Sequence, residues 1–143
     1  MISKKWVVGV LCSVSVISLA GAAIPESPNP LSNINLTFDQ RFEQMKQIDD
    51  ALLKATPEER KAYWHQMRDQ MKALSPEDRK LIQEKMKAQW QSITPEQKEK
   101  MKAERKVFFD GLTPEEQAEM MARKAKWENM SPEEKQKWHK QSS

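Results

Sequence analysis

Thr94-Pro95-Glu96-Gln97 is the key to the architecture, because its pattern recurs along the sequence. The other copies are Thr56-Pro57-Glu58-Glu59, Ser75-Pro76-Glu77-Asp78, Thr113-Pro114-Glu115-Glu116 and Ser131-Pro132-Glu133-Glu134. Their start-to-start spacings are 19, 19, 19 and 18 residues. Each copy is a helix-start signal. The hydroxyl residue is the N-cap, whose oxygen accepts from a free N–H of the first turn. Proline follows at the first helical position, where a missing N–H costs nothing. The acidic or Gln residue three after the cap can reach back to the cap's own N–H, closing a capping box. The acidic side chains also suit the positive end of the helix dipole. Copies in register mark a tandem helical repeat.

A proline-free version, Leu36-Thr37-Phe38-Asp39-Gln40, puts Thr37 19 residues before Thr56, so the repeat begins there. The expected caps are Thr37, Thr56, Ser75, Thr94, Thr113 and Ser131. The expected helices are 38–54, 57–73, 76–92, 95–111, 114–129 and 132–140, giving an all-α fold. The residue before each Pro is pushed out of the α region, so every junction bends the chain sharply. Two arrangements fit: antiparallel hairpins or an open bent array. The position four past each cap, where an apolar staple partner would sit, holds Arg60, Arg79, Lys98, Gln117 or Lys135.

Upstream of the repeat, Lys4 and Lys5 precede an apolar run from Trp6 to Leu19, and Ala20-Gly21-Ala22-Ala23 supplies small residues for cleavage. That layout implies a secretory signal peptide over 1–23. An uncleaved anchor is the rival reading. Residues 24–35, with Pro25, Pro28 and Pro30 among Ser and Asn, read as a flexible leader. The repeat domain is then 36–141. The expected location is the bacterial periplasm, with no membrane attachment after cleavage.

Without the first 23 residues, 22 basic and 21 acidic residues remain, and no cysteine. Near-neutral charge argues against electrostatic binding of nucleic acid. Lack of cysteine leaves no disulfide framework. Leu, Ile, Val and Phe number only 17 in that segment, supplemented by eight Met, four Trp and one Tyr. So thin an apolar stock favours a bent array, a homodimer, or both.

Those apolar residues follow the helical period. The stripe runs through Tyr63, Met67 and Met71, then Ile82, Met86 and Trp90, then Met101 and Phe108, then Met120 and Trp127. As core it is ordinary. As exposed surface it would be adaptable, because Met is flexible and polarizable. The candidate client- or partner-binding residues are Trp64, Met67, Met71, Met86, Trp90, Met101, Phe108, Met120 and Trp127.

Catalytic equipment is sparse. The histidines are His65 and His139, and the sequence has no Gly-rich phosphate loop, nucleophile elbow or paired-His zinc motif. No enzyme activity is expected, and nothing calls for a cofactor. His65 and Asp69, at i,i+4, could offer two ligands on one face, with Met67 and Met71 near. A complete metal site wants three or four ligands.

Leu36-Thr37-Phe38-Asp39-Gln40 matches the L-T-x-x-Q motif of the Spy/CpxP family of bacterial periplasmic stress proteins, and Ile93-Thr94-Pro95-Glu96-Gln97 comes near it. The sequence resembles that family over residues 36–134. The resemblance implies a small, exported, all-α, dimeric protein, either an ATP-independent chaperone or a metal-stress accessory. The proline-bearing repeat is also similar to a group of uncharacterised exported bacterial proteins with a Leu-[Ser/Thr]-Pro-Glu-Glu helical repeat. Three functions are therefore expected in order: a chaperone-like binder of unfolded clients, a copper- or zinc-responsive binder, and a structural envelope spacer or partner module.

Overall fold

The structure, a computed structural model, describes residues 24–142, so the expected signal peptide lies outside the described residues. Among the described residues seven helices follow one another: α1 (Pro30–Asn33), α2 (Phe38–Lys54), α3 (Pro57–Ala73), α4 (Pro76–Ser92), α5 (Pro95–Asp110), α6 (Pro114–Asn129) and α7 (Pro132–Ser142). Among the described residues there is no strand, and no helix is long and apolar enough to cross a membrane.

The starts of the helices are fixed by local chemistry. Thr37, Thr56, Thr94 and Thr113 each close a full capping box with the residue three places on. Ser131 and Glu134 exchange the same two hydrogen bonds, at 2.8 and 3.2 Å. Ser75 accepts from the Asp78 N–H at 3.1 Å, but the shorter Asp78 side chain returns no bond. Between α2 and α3 the backbone passes through two extended residues, Ala55 and Thr56, with ψ of 164° and 159°. Leu74–Ser75, Ile93–Thr94 and Met130–Ser131 begin with the same extended turn-out, the last residue of the previous helix having ψ between 141° and 150°. The α5–α6 junction differs, because Gly111 remains helical at ψ −9°.

These bends wind the chain so that each element meets the one three places further on. α1 packs on α4, and α2 packs on α5. α3 joins α6 through Arg60 and Glu116. The α2–α5 pair is parallel. Near their starts, Lys100 Nζ of α5 lies 4.5 Å from the centre of the Phe42 ring of α2. At their ends a Cβ on Gly111 would lie 2.6 Å from Leu53 Cδ2, so only glycine lets the two helices approach this closely without moving that leucine. Both contacts span roughly three 19-residue repeats. The chain bends at its junctions, as the array reading expected, but it coils back on itself, so it is neither a set of hairpins nor an open array.

The core is small. Leu52 is fully buried, and Ile34, Ala51, Tyr63, Ile82 and Leu112 nearly so. Residues 24–35 depart from the flexible leader expected of them. Ile34 and Ser27 are buried, and Ser27 lies within reach of the Tyr63 hydroxyl. Asn29 caps α1 by accepting from the Leu31 N–H. Gln89 Nε2 of α4 donates to the Ile34 carbonyl at 2.8 Å. Three prolines restrict this segment in the unfolded state, which lowers the entropy lost on docking it.

Candidate functional site

The position four past each cap explains how the junctions hold. In Arg60, Gln117, Lys98 and Lys135 it reaches back eight residues to the end of the preceding helix. Arg60 Nη1 donates to the carbonyls of Leu52 and Ala55, at 3.0 and 2.6 Å. Gln117 Nε2 donates to those of Phe109 and Leu112, at 2.9 and 3.3 Å, in the same register. Terminal helix carbonyls lack intrahelical partners, and these side chains supply donors. At two other junctions a lysine covers an aromatic ring instead: Lys98 over Trp90 at 5.6 Å and Lys135 over Trp127 at 5.4 Å.

Arg60 has a second role. It is only 4% exposed, and it binds Glu116 in a forked pair, Nε to Oε1 at 2.8 Å and Nη2 to Oε2 at 2.9 Å. Thr113 also donates to Glu116 through its backbone N–H and its hydroxyl. The Arg60 hydrogen bonds hold the Glu116 carboxyl down to about 2, against the desolvation that opposes them. The remaining ion pairs among the described residues are between exposed side chains one turn apart and add little to stability.

The winding leaves a cleft of about 590 Å³ between α2, α3, α4 and α5. From α2 come Phe38, Phe42, Met45 and Ile48, with Phe38 and Phe42 stacked at 5.9 Å. From α3 come Tyr63, Trp64 and Met67; from α4, Met86, Trp90 and Ile93; from α5, Met101. Several of these large groups stay half in water: Trp64 is 40% exposed, Trp90 48% and Met86 55%. A concave, mainly apolar wall with a few polar groups is the usual form of a ligand site.

Five of the nine candidate binding residues therefore meet in one cleft: Trp64, Met67, Met86, Trp90 and Met101. Phe108 touches Trp64 edge-on at 6.4 Å, and with Met120 it lines a second groove between α3 and α6. That groove is more charged, holding Lys61, Arg68 and Arg123 against Glu58, Glu115 and Glu119, with His65 beside them. Trp127 pairs with Trp138 at 5.6 Å, away from the cleft, and half-buried Met71 does not line it. The α2 wall is absent from the expected stripe, although Phe38, Phe42, Met45, Ile48 and Leu52 keep the helical period.

The cleft's polar groups are unusual. Arg41, Lys87, Arg105 and Asp49 line it. Burial lowers the Arg41 pKa, and its Nε is buried with no hydrogen-bond partner. Asn33 Oδ1 and Gln89 Oε1 are buried and unpartnered too, and both residues line the same cleft. Burial first, then the nearby carboxylates of Glu104 and Asp50, push Asp49 up to about 6. Burial likewise raises the Tyr63 phenol, with Asp49 adding to it.

His65 Nδ1 lies 3.1 Å from Arg68 Nη2, so that ring nitrogen faces a guanidinium. Among the described residues there is no group of three His, Cys, Asp or Glu side chains that could hold a metal ion.

Residues 35–139 match the family described as a protein of unknown function, DUF3106, and the chain belongs to that family. No curated protein and no solved structure gives a significant match.

Proposed function

We propose that this DUF3106 protein is an exported, chaperone-like binding protein that captures apolar segments of other proteins reversibly in the periplasm. The observation that carries the reading is the cleft between α2 and α5, whose Trp64, Met86 and Trp90 are well formed yet half exposed. Methionine and aromatic side chains together make a surface that adapts to varied partners. Charged helix faces around the cleft would keep a captured segment in solution. The Spy/CpxP-like motif at Leu36–Gln40 and the signal-like first 23 residues point the same way.

The test uses protein made from the whole sequence and recovered from the cell envelope. Mass spectrometry should find a start near Ile24. The purified protein should suppress aggregation of a denatured model client without ATP, and added copper or zinc should not change the effect. An intact Met1 start in the membrane fraction would overturn export, and unaltered client aggregation would overturn the chaperone reading.

A further inference from the structure

The seam between α2 and α5 holds a carboxylate from each helix. The helices meet at Phe42 with Lys100 and at Leu53 with Gly111. In both contacts the two residues are the same distance apart in sequence, so the helices keep one register between them. Phe42, Asp49 and Leu53 fall on one stripe of α2 at the helical period, and Lys100, Glu104 and Gly111 on one stripe of α5. Asp49 and Glu104 are therefore carried into the middle of a seam that is pinned at both ends, and both are half-buried.

No cation answers them. Neither carboxylate takes part in an ion pair among the described residues. Lys100 Nζ lies over the Phe42 ring instead. Lys46 of α2, Arg105 of α5 and Lys87 of α4 are exposed, Arg41 of α2 is half-buried, and all four make no ion pair there. α3 contributes only the buried Tyr63 phenol, and residues 24–35 contribute Ser27, which does not titrate. Beside Asp49 on α2 stands a third acid, Asp50. Burial, then Glu104 and Asp50, push Asp49 up to about 6, so it changes charge in mildly acidic solution. A seam laid for stability alone would put an apolar or a basic residue at one of these places, since acids held close oppose each other's ionisation.

We infer that Asp49 and Glu104 form an acid clasp across the α2–α5 seam: with Asp49 protonated the two helices close, and with it ionised they are forced apart and the cleft they flank widens. Asp49 itself lines that cleft, and α2 and α5 supply Phe38, Phe42, Met45, Ile48 and Met101 to its wall. A looser seam therefore bares more apolar surface. Because burial favours the protonated carboxyl, the closed seam holds the proton, and opening gains as pH rises through about 6. The clasp holds or fails whether or not the protein captures clients.

Hydrogen exchange of the whole purified protein tests it, read by mass spectrometry from about pH 5 to about pH 7.5 and corrected for the rate of an unfolded chain at each pH. Backbone amides of α2 and α5 should lose about tenfold in protection as pH rises. Those of α4, which holds Ile82 at 2% exposure, should change far less. Nile red, a neutral apolar dye, should brighten with the same midpoint. Asp49→Asn should hold both readings at their low-pH level throughout. Glu104→Gln keeps Asp49 and should move the midpoint to lower pH. Constant protection across the range would overturn the clasp, as would a loss that survives Asp49→Asn. An equal loss in α4 would mean that the whole fold loosens and the seam has no special part. A midpoint unmoved by Glu104→Gln would break the pairing of the two acids, and unchanged dye binding would sink the widening of the cleft.

Discussion

Arg60 and Glu116 begin neighbouring turns of the coil: one lies in the first turn of α3, the other in the first turn of α6, and a forked ion pair of 2.8 and 2.9 Å joins them. They are 56 residues apart in sequence. Arg60 also seals the α2–α3 junction, so a local cap and a long-range tie share one side chain. Removing one partner of a buried, hydrogen-bonded pair costs about 3–5 kcal/mol. Arg60→Ala should approach that loss in chemical denaturation, because the carbonyls of Leu52 and Ala55 lose their donor too. Glu116→Gln should cost less, since Arg60 keeps those carbonyls and Glu116 is partly open to water. If the two substitutions cost the same, the junction bonds of Arg60 contribute nothing.

Gln117 gives a cleaner view of the junction device, as it has no ion pair. Its Nε2 serves the carbonyls of Phe109 and Leu112. Gln117→Ala should cost about 1–3 kcal/mol, the expense of leaving part-buried acceptors unmet. At the equivalent position Lys98 only covers the half-exposed Trp90 ring. Lys98→Ala should cost about 0.5–1 kcal/mol. Thermal melts of the two variants side by side check the order.

Two carboxyls pull the pH dependence of stability in opposite directions. Glu116 is held down to about 2, first by the Arg60 hydrogen bonds, from an ordinary 4.5. Its contribution is complete above about pH 4.5 and fades as pH falls towards 2. Asp49 is pushed up from 3.8 to about 6, first by burial. The fold favours its protonated form, so its contribution is complete below about pH 3.8 and is lost as pH rises through 6. Denaturation midpoints measured across pH should therefore fall on both sides of a maximum where these windows overlap, between pH 3.8 and 4.5. Asp49→Asn should flatten the upper side and leave the lower side intact; Glu116→Gln should do the reverse.

Helices α2 to α7 and, within about two residues, their bounds were legible because their causes are local; α1, inside the expected leader, was not. A cap, a proline and an acid within four residues fix a helix start wherever the rest of the chain goes. The winding was not legible. It depends on how the few extended residues at the junctions aim the next helix, and a small change there alters which helix returns on which. For the same reason Arg60 and Gln117 read only as missing staple residues in the sequence. Their acceptors, eight and five residues back, come within reach only after the backbone has turned. The cleft was half legible: the stripe of α3, α4 and α5 follows from period alone. The stripe of α2 keeps the same period, but that it closes the cleft as a fourth wall, and that Arg41 is unpartnered there, needed the coil.

Ser75 tests whether the full capping box matters beyond the cap itself. It accepts from Asp78 N–H, but Asp78 is too short to return the bond. Thr94 and Gln97 make both bonds, at 3.1 and 3.0 Å. Thr94→Ala should cost about 0.5–2 kcal/mol. Asp78→Glu should add the missing return bond and raise the melting temperature slightly. An exposed control, Lys102→Ala, removes only a 3.8 Å surface pair with Glu99 and should change little. Equal losses from Thr94→Ala and Lys102→Ala would mean that Thr94 does not hold the start of α5.

Trp90 separates a wall that binds from a wall that merely fills. It lines the cleft, yet 48% of it stays exposed, and the most deeply buried residues of the core, Leu52 and Ile82, lie elsewhere. Truncating a completely buried Trp would cost about 3–5 kcal/mol and could unfold so small a domain. Here only about half of that surface leaves water on folding, so Trp90→Ala should cost about 1–2 kcal/mol. Helicity by circular dichroism should be nearly unchanged. Client capture should fall much further, because the lost ring faces the ligand and Met86, one turn earlier, cannot replace its area. Ile82→Ala supplies the contrast. That side chain is 2% exposed and does not line the cleft, so its loss should lower stability more than Trp90→Ala does. Capture measured on the fraction still folded should then be unaffected. If Trp90→Ala instead unfolds the protein while Ile82→Ala leaves it intact, Trp90 belongs to the core, and the α2–α5 cleft loses its claim to be a binding surface.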